Sequence, residues 1–148
     1  MVKEYEVIFK NTKEFVPKLK IVRESSFLEE QLYSEINVGK ILGKDYDMSK
    51  CVREKGYVVS RFNEFVNGIY QIGLGDSNSC NMSIRNIITF LALIGATEFS
   101  LYHNHPGKKD FPSESDKQYV NYLTVIGNLI GCSFSGSYII AGDQVIKI

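Results

Sequence analysis

The stretch from Glu98 to Ile140 leaves this chain few ways to fold. Glu98-Phe-Ser-Leu-Tyr102 is an apolar run of strand length, and it ends in Leu101-Tyr-His103-Asn-His105-Pro106, which holds both histidines of the protein. After a loop at 106 to 112 the apolar residues return at helical spacing. Tyr119, Leu123, Ile126 and Ile130 fall on one stripe, with Val120 and Leu129 beside it, so the spacing predicts a helix over 113–130. Gly131 is its stop. Ser133 to Ile140 then reads as a strand. Strand, histidine loop, long helix and strand form the unit around which the rest must be arranged.

That unit places chemistry as well as structure. Residues two apart on a strand point to one side, about 6.6 Å apart along the chain at about 3.3 Å per residue. His103 and His105 can therefore share one metal ion, and Asp116, in the first turn of the helix, can supply a third, anionic ligand. Three nitrogen or oxygen ligands with an open fourth position are the design of a catalytic zinc site. Each part has an ordinary explanation when taken alone. His-x-His at a strand end is more often a polar rim pair, and Ser113-x-x-Asp116 is also a good capping sequence. The combination is sharper than its parts: His-x-His-Pro, six residues, Ser, two residues, Asp.

In the remainder, Glu4 to Phe9 alternates and reads as a short strand, and Phe15 to Arg23 as a second, at an edge because of Pro17. Residues 26 to 53 read as short helices broken by Gly39, Gly43 and Asp45-Tyr-Asp, with Ser34 as a cap. Gly56 to Phe62 and Gly68 to Leu74 read as strands, with Asn67-Gly68 as the hairpin signal. Gly73 to Asn78 is a loop. Ser83 to Ala96 is a helix with Ser83 as its cap and Gly95 at its stop. Gln144 to Ile148 closes the chain as a strand after a turn at Ala141-Gly-Asp143. The element order implies one domain of mixed α/β (α+β) class, a central mixed sheet with helices packed on it.

Composition narrows the function classes. Lys plus Arg and Asp plus Glu both number 17, and such a neutral chain has no electrostatic footprint for nucleic acid. The start, Met1-Val-Lys-Glu-Tyr-Glu, lacks the apolar core of a signal peptide. The longest apolar run, Ile88 to Ala96, is too short to span a bilayer. Cys51, Cys80 and Cys132 form no Cys-x-x-Cys and read as reduced thiols. The expectation is a cytoplasmic protein without a membrane partner. Cys80 is the one candidate for an active thiol, since its Gly-rich loop can approach the site; a buried, inert role is the commoner fate.

The run from 101 to 116 resembles the motif of the JAMM (MPN-plus, JAB-domain) zinc metallopeptidases, and within them the RadC-like group, which reads His-Asn-His-Pro-Ser-Gly and then Pro-Ser-x-x-Asp. The resemblance extends from about Leu19 to the C-terminus and is closest over residues 26 to 148, with 1 to 25 as added N-terminal strands. Arg85, Ala96 and Ile139-Ile-Ala-Gly-Asp143 also fit that group. The resemblance implies a JAB fold, Zn2+ held by His103, His105 and Asp116, and a peptidase or isopeptidase that cleaves amide bonds through a zinc-activated water. The substrate and the oligomeric state stay open.

Such an enzyme needs a general base. Spacing alone narrows the field without choosing. Glu98 lies an odd number of residues from His103 and faces the other way. Glu64 sits at a hairpin tip in water, and Glu114 is usable as a helix-dipole charge. Glu54 immediately precedes the strand Gly56 to Phe62. The resemblance selects Glu54, because the RadC-like group carries its glutamate just before this strand, and it implies that Ser113 steadies the developing oxyanion.

There are departures: Gly107-Lys108-Lys109 replaces Ser-Gly, Ser83-Ile84-Arg85-Asn86 replaces Pro-Arg-Glu, and Ser137-Tyr138 replaces Asp-His. None removes a proposed ligand, but they leave substrate choice and outer contacts open. The helix-hairpin-helix region of longer relatives is not read in this chain, so the group's association with DNA repair transfers weakly. His103-Asn104-His105 spells the name of the HNH nucleases, which draw those residues from separated parts of a ββα unit. The Pro-Cys-x-x-Cys of zinc deaminases is missing. The alternative to an enzyme is a non-catalytic JAB-fold module that binds a protein or nucleic-acid partner.

Overall fold

A computed structural model describes residues 2–9, 16–27, 32–72, 84–107 and 110–148. The elements in chain order are β1 (Val2–Phe9), β2 (Pro17–Ser25), α1 (Glu35–Asp45), β3 (Gly56–Phe62), β4 (Phe65–Ile72), α2 (Ile84–Ile94), β5 (Glu98–Asn104), α3 (Glu114–Ile130), β6 (Ser133–Ala141) and β7 (Gln144–Lys147). Seven strands form one mixed sheet in the order β2-β1-β4-β3-β5-β6-β7. Pro17 starts an edge strand, as its missing N–H requires. The α+β class expected from the element order is the one found.

β3 and β5 lie at the centre, and every residue of β3 before Phe62 is buried. Alternation along these strands sorts two cores. Tyr57, Val59 and Tyr102 face α1, packing with Val38, Leu42, Tyr46 and Ile140. Val58, Phe99 and Leu101 face the other side, packing with Ile87, Phe90 and Leu91 of α2 and Leu123 of α3. His103 shares its parity with Leu101 and so belongs to the α3 side. β5 and β6 are parallel and joined by α3, a connection that parallel strands need. Ligands in α/β sheets gather outside the carboxyl ends of such strands. The carboxyl end of β5 is where the histidines sit.

Several local expectations change. Asn67-Gly68 does not turn the hairpin between β3 and β4. Ser60 pairs with Gly68 but Arg61 pairs with Val66, so Asn67 is the extra residue of a β-bulge. The turn is at Asn63-Glu64, where Asn63 takes φ 45°. β4 accordingly starts at Phe65, three residues before the expected strand start at Gly68. Gly39 and Gly43 do not break α1, which runs unbroken from its Ser34 cap. They let it lie close to its neighbours: a Cβ at Gly39 would stand 2.5 Å from Val145 Cγ1, and one at Gly43 2.6 Å from Ser49 Oγ. On α3 the expected stripe is buried at Leu123 but not at its end, since Leu129 and Ile130 are exposed. Gly95 and Gly131 are left-handed, as stops to α2 and α3. The Ser83 cap, the 73–78 loop, Phe15, Leu74 and Cys80 lie outside the described residues. Cys51 and Cys132 are free thiols. Among the described residues no helix is long and apolar enough to cross a membrane.

Candidate metal centre

Two elements aim the three ligand candidates. β5 carries His103 at its buried end. His105 follows just past the strand, held there because its backbone N–H donates to the Ile140 carbonyl of β6 (3.1 Å). α3 delivers Asp116 through a capping box: Ser113 Oγ accepts from the Asp116 N–H (3.1 Å), and Asp116 Oδ2 accepts from the Ser113 N–H (2.8 Å). The cap fixes the aspartate rotamer before any ligand arrives.

The result is a triangle of polar atoms. His103 Nε2 and His105 Nε2 are 3.1 Å apart, His103 Nε2 is 3.1 Å from Asp116 Oδ1, and His105 Nε2 is 3.1 Å from Asp116 Oδ2. The three side chains are only 6 %, 10 % and 12 % exposed, respectively. One ligand atom from each lies within 4.8 Å of the others, a grouping able to hold a metal ion. Ligands about 2.0–2.1 Å from one tetrahedral zinc stand roughly 3.3 Å from one another, close to this spacing. The donor set of two imidazoles and a carboxylate suits a borderline-soft divalent cation. The residues fit the group.

Asp116 is electrostatically committed. Burial opposes its ionisation, but hydrogen bonds with His103 and His105, the charge of His103 and the Ser113 N–H together hold its carboxyl well below the usual carboxylate range. An ionised ligand is what a cation site requires.

The glutamates weighed as a general base lie in different places. Glu98 faces away from His103, as alternation predicts, and its carboxylate lies 3.8 Å from Arg61 Nε. Glu64 is at the hairpin tip and exposed. Glu114 is a surface charge that accepts from Lys117 Nζ at 3.2 Å. Glu54 is half-buried in the segment that runs into β3. Because Gly56 pairs with His103, that segment passes alongside the end of β5 that carries the histidines. Ser113 is placed as a helix cap beside the ligands, with its hydroxyl proton still available for donation.

Sequence reasoning gave Asn104 no role. It is 1 % exposed and its side chain bonds the backbone of the segment around Glu54. The signal was present: parity puts this polar residue on the covered α1 side of the sheet, where a buried amide must find partners.

Comparison with protein families finds a match over residues 45–147 to the RadC-like JAB domain. Comparison with curated proteins finds no match. The matched span contains every candidate site residue. β1, β2 and nearly all of α1 precede it, with β1 continuing the same sheet through its parallel pairing with β4.

Proposed function

The chain belongs to the RadC-like JAB domain family, and from that premise we propose that it is a zinc-dependent metallohydrolase, a peptidase or isopeptidase that cleaves amide bonds. The observation that carries this reading is the convergence of His103, His105 and Asp116 at 3.1 Å spacings in a nearly enclosed corner. Zinc bound there would act as a Lewis acid on the amide carbonyl and bring a water closer to ionisation at neutral pH. The chain's own residues supply the proton traffic. Glu54 takes a proton from the attacking water and returns it to the leaving amine. Ser113 Oγ, already accepting from the Asp116 N–H, donates its proton to the oxygen on which negative charge develops. The neutral overall charge argues for a peptide or protein substrate over nucleic acid.

The test is to incubate the zinc-loaded protein with a proteome-derived peptide library and to read the new amino termini beside Glu54→Gln. Wild type is expected to cut, and Glu54→Gln to keep its zinc with turnover lowered by about 10²–10⁴. A protein that holds zinc and cuts nothing in either form would be a partner-binding module. Activity lost in Glu64→Gln or Glu114→Gln but kept in Glu54→Gln would overturn the choice of base.

A further inference from the structure

At Asn104 strand β5 parts from β3. Gly56 is paired with His103, and the Asn104 N–H donates to the Lys55 carbonyl (3.1 Å) as the last backbone rung. The next N–H, that of His105, points the other way, as strand alternation requires, and donates to the Ile140 carbonyl of β6. From that rung on, the Asn104 side chain continues the pairing. Its Oδ1 accepts from the Lys55 N–H (2.5 Å), and its Nδ2 donates to the carbonyls of Arg53 (3.0 Å) and Cys51 (3.4 Å). Residues 51–55 have no helix or strand of their own, so a single buried amide satisfies three of their backbone groups. Only an amide offers both the acceptor and the two donors that this takes. An aspartate would set a carboxylate against two carbonyl oxygens.

We propose that Asn104 is a positioning residue for Glu54. It ties the backbone on both sides of Glu54, at Arg53 and Lys55, to the same turn of β5 that carries His103 and His105. The separation of base and ligands is thereby fixed by one strand end and does not depend on an untethered loop. The proposal rests on the reading of Glu54 as the base. A strand-end tie with no such role would affect rate equally whether or not Glu54 were intact; a positioning residue acts only through it.

The experiment compares wild type, Asn104→Asp, Glu54→Gln and the double variant, using a peptide found by the cleavage profiling. Zinc content and amide hydrogen exchange are read on the same samples. Asn104→Asp is expected to keep its zinc, to speed exchange of the 51–55 amides about tenfold or more with β3 amides unchanged, and to lower kcat about 10²-fold at unchanged KM, the cost of a displaced catalytic group. The double variant should be no slower than Glu54→Gln, since residues acting as a unit are not additive. Losses that multiply in the double variant, or a full rate in Asn104→Asp beside a slow Glu54→Gln, would overturn the positioning role alone. A full rate in Glu54→Gln would overturn the base assignment and the positioning role with it. Should Asn104→Asp fail to fold, wild-type exchange decides: a Lys55 amide protected like those of β3 supports the tie, and one that exchanges at loop rates overturns it.

Discussion

Where β5 begins, Arg61 from β3 lies among Glu35, Glu98 and Ser100; where β5 ends, His103 and His105 meet Asp116. Both clusters are polar and at least partly buried, yet they obey opposite rules. At the first, donor meets acceptor: Arg61 Nε pairs with Glu35 Oε1 at 2.9 Å, Arg61 Nη1 donates to the Glu64 carbonyl at 2.9 Å, and Ser100 Oγ donates to Glu35 Oε2 at 3.0 Å. The Tyr102 hydroxyl also donates to the Glu35 carboxylate, and burial together with that carboxylate pushes its pKa up, so that it stays a donor. Among the buried side-chain polar atoms of the described residues, Arg61 Nη2 alone is left without a partner. At the second, two imidazole nitrogens and a carboxylate converge at 3.1 Å, a grouping whose ligand atoms can share one cation. Apart from that one donor, the groups of the first cluster satisfy one another. Convergent ligand atoms can share a cation, and that contrast makes the second cluster the candidate metal site.

The contrast breaks most readily on stability with and without metal. Zinc at about a thousand times its dissociation constant should stabilise the wild type by about 4 kcal/mol. That gain should vanish in Asp116→Ala and persist in Arg61→Met. Thermal melts of the three proteins with and without zinc check this; a zinc-dependent gain in Asp116→Ala would erase the distinction between the clusters.

Next in size is the intrinsic cost at the other end. Arg61→Met removes the cation that pairs with Glu35 and leaves an uncompensated carboxylate, a loss of about 3 kcal/mol, at the lower end of the range because Glu35 is partly open to water. Denaturant unfolding measures it, and a loss below about 1 kcal/mol would mean that the cluster is no more than a surface ion pair.

Ser113→Ala follows, because Ser113 belongs to the cap and the metal corner together. Loss of the cap should cost about 1 kcal/mol. Zinc content should hold, and turnover should fall about 10²–10³ if the hydroxyl serves the oxyanion. Ser115→Ala is the neighbouring control. A melt that shifts while initial rates hold would reduce Ser113 to a cap.

The smallest effect concerns Glu4, a buried acid on the α1 side. Burial raises its pKa above the usual 4.5, against the lowering influence of Arg23, Tyr57 and Lys55. An acid raised in the folded state favours folding most below pH 4.5, and that contribution is lost as pH rises through the raised value. Melts from pH 4 to 7 should therefore show Glu4→Gln gaining on wild type as pH rises. A constant difference would mean that Glu4 ionises as freely folded as unfolded.

What could be read in the sequence follows the range of the interactions involved. Alternation through 98–104 and helical spacing through 113–130 are local, and they delivered β5, α3 and the His103, His105, Asp116 set. Asn67-Gly68 misled because the same dipeptide suits a tight turn and a bulge; Ser60, whose hydroxyl donates to Asn67 Oδ1 and Gly68 O, settles it as a bulge through bonds across the hairpin. Gly39 and Gly43 looked like helix breakers because their partners, Val145 and Ser49, are brought near only by the fold. The same holds for Arg61 with Glu35, 26 residues apart, and for Asn104 with Arg53, 51 apart. Pairings at such separations leave no periodic trace.

The central claim, that His103, His105 and Asp116 form a metal centre and Arg61 with Glu35 a structural network, is tested most directly by elemental analysis of purified wild type, His103→Ala, Asp116→Ala and Arg61→Met. The account predicts about one zinc per chain in wild type and in Arg61→Met, and little or none in the two ligand variants. Equal zinc in all four proteins, or none in any, would contradict it.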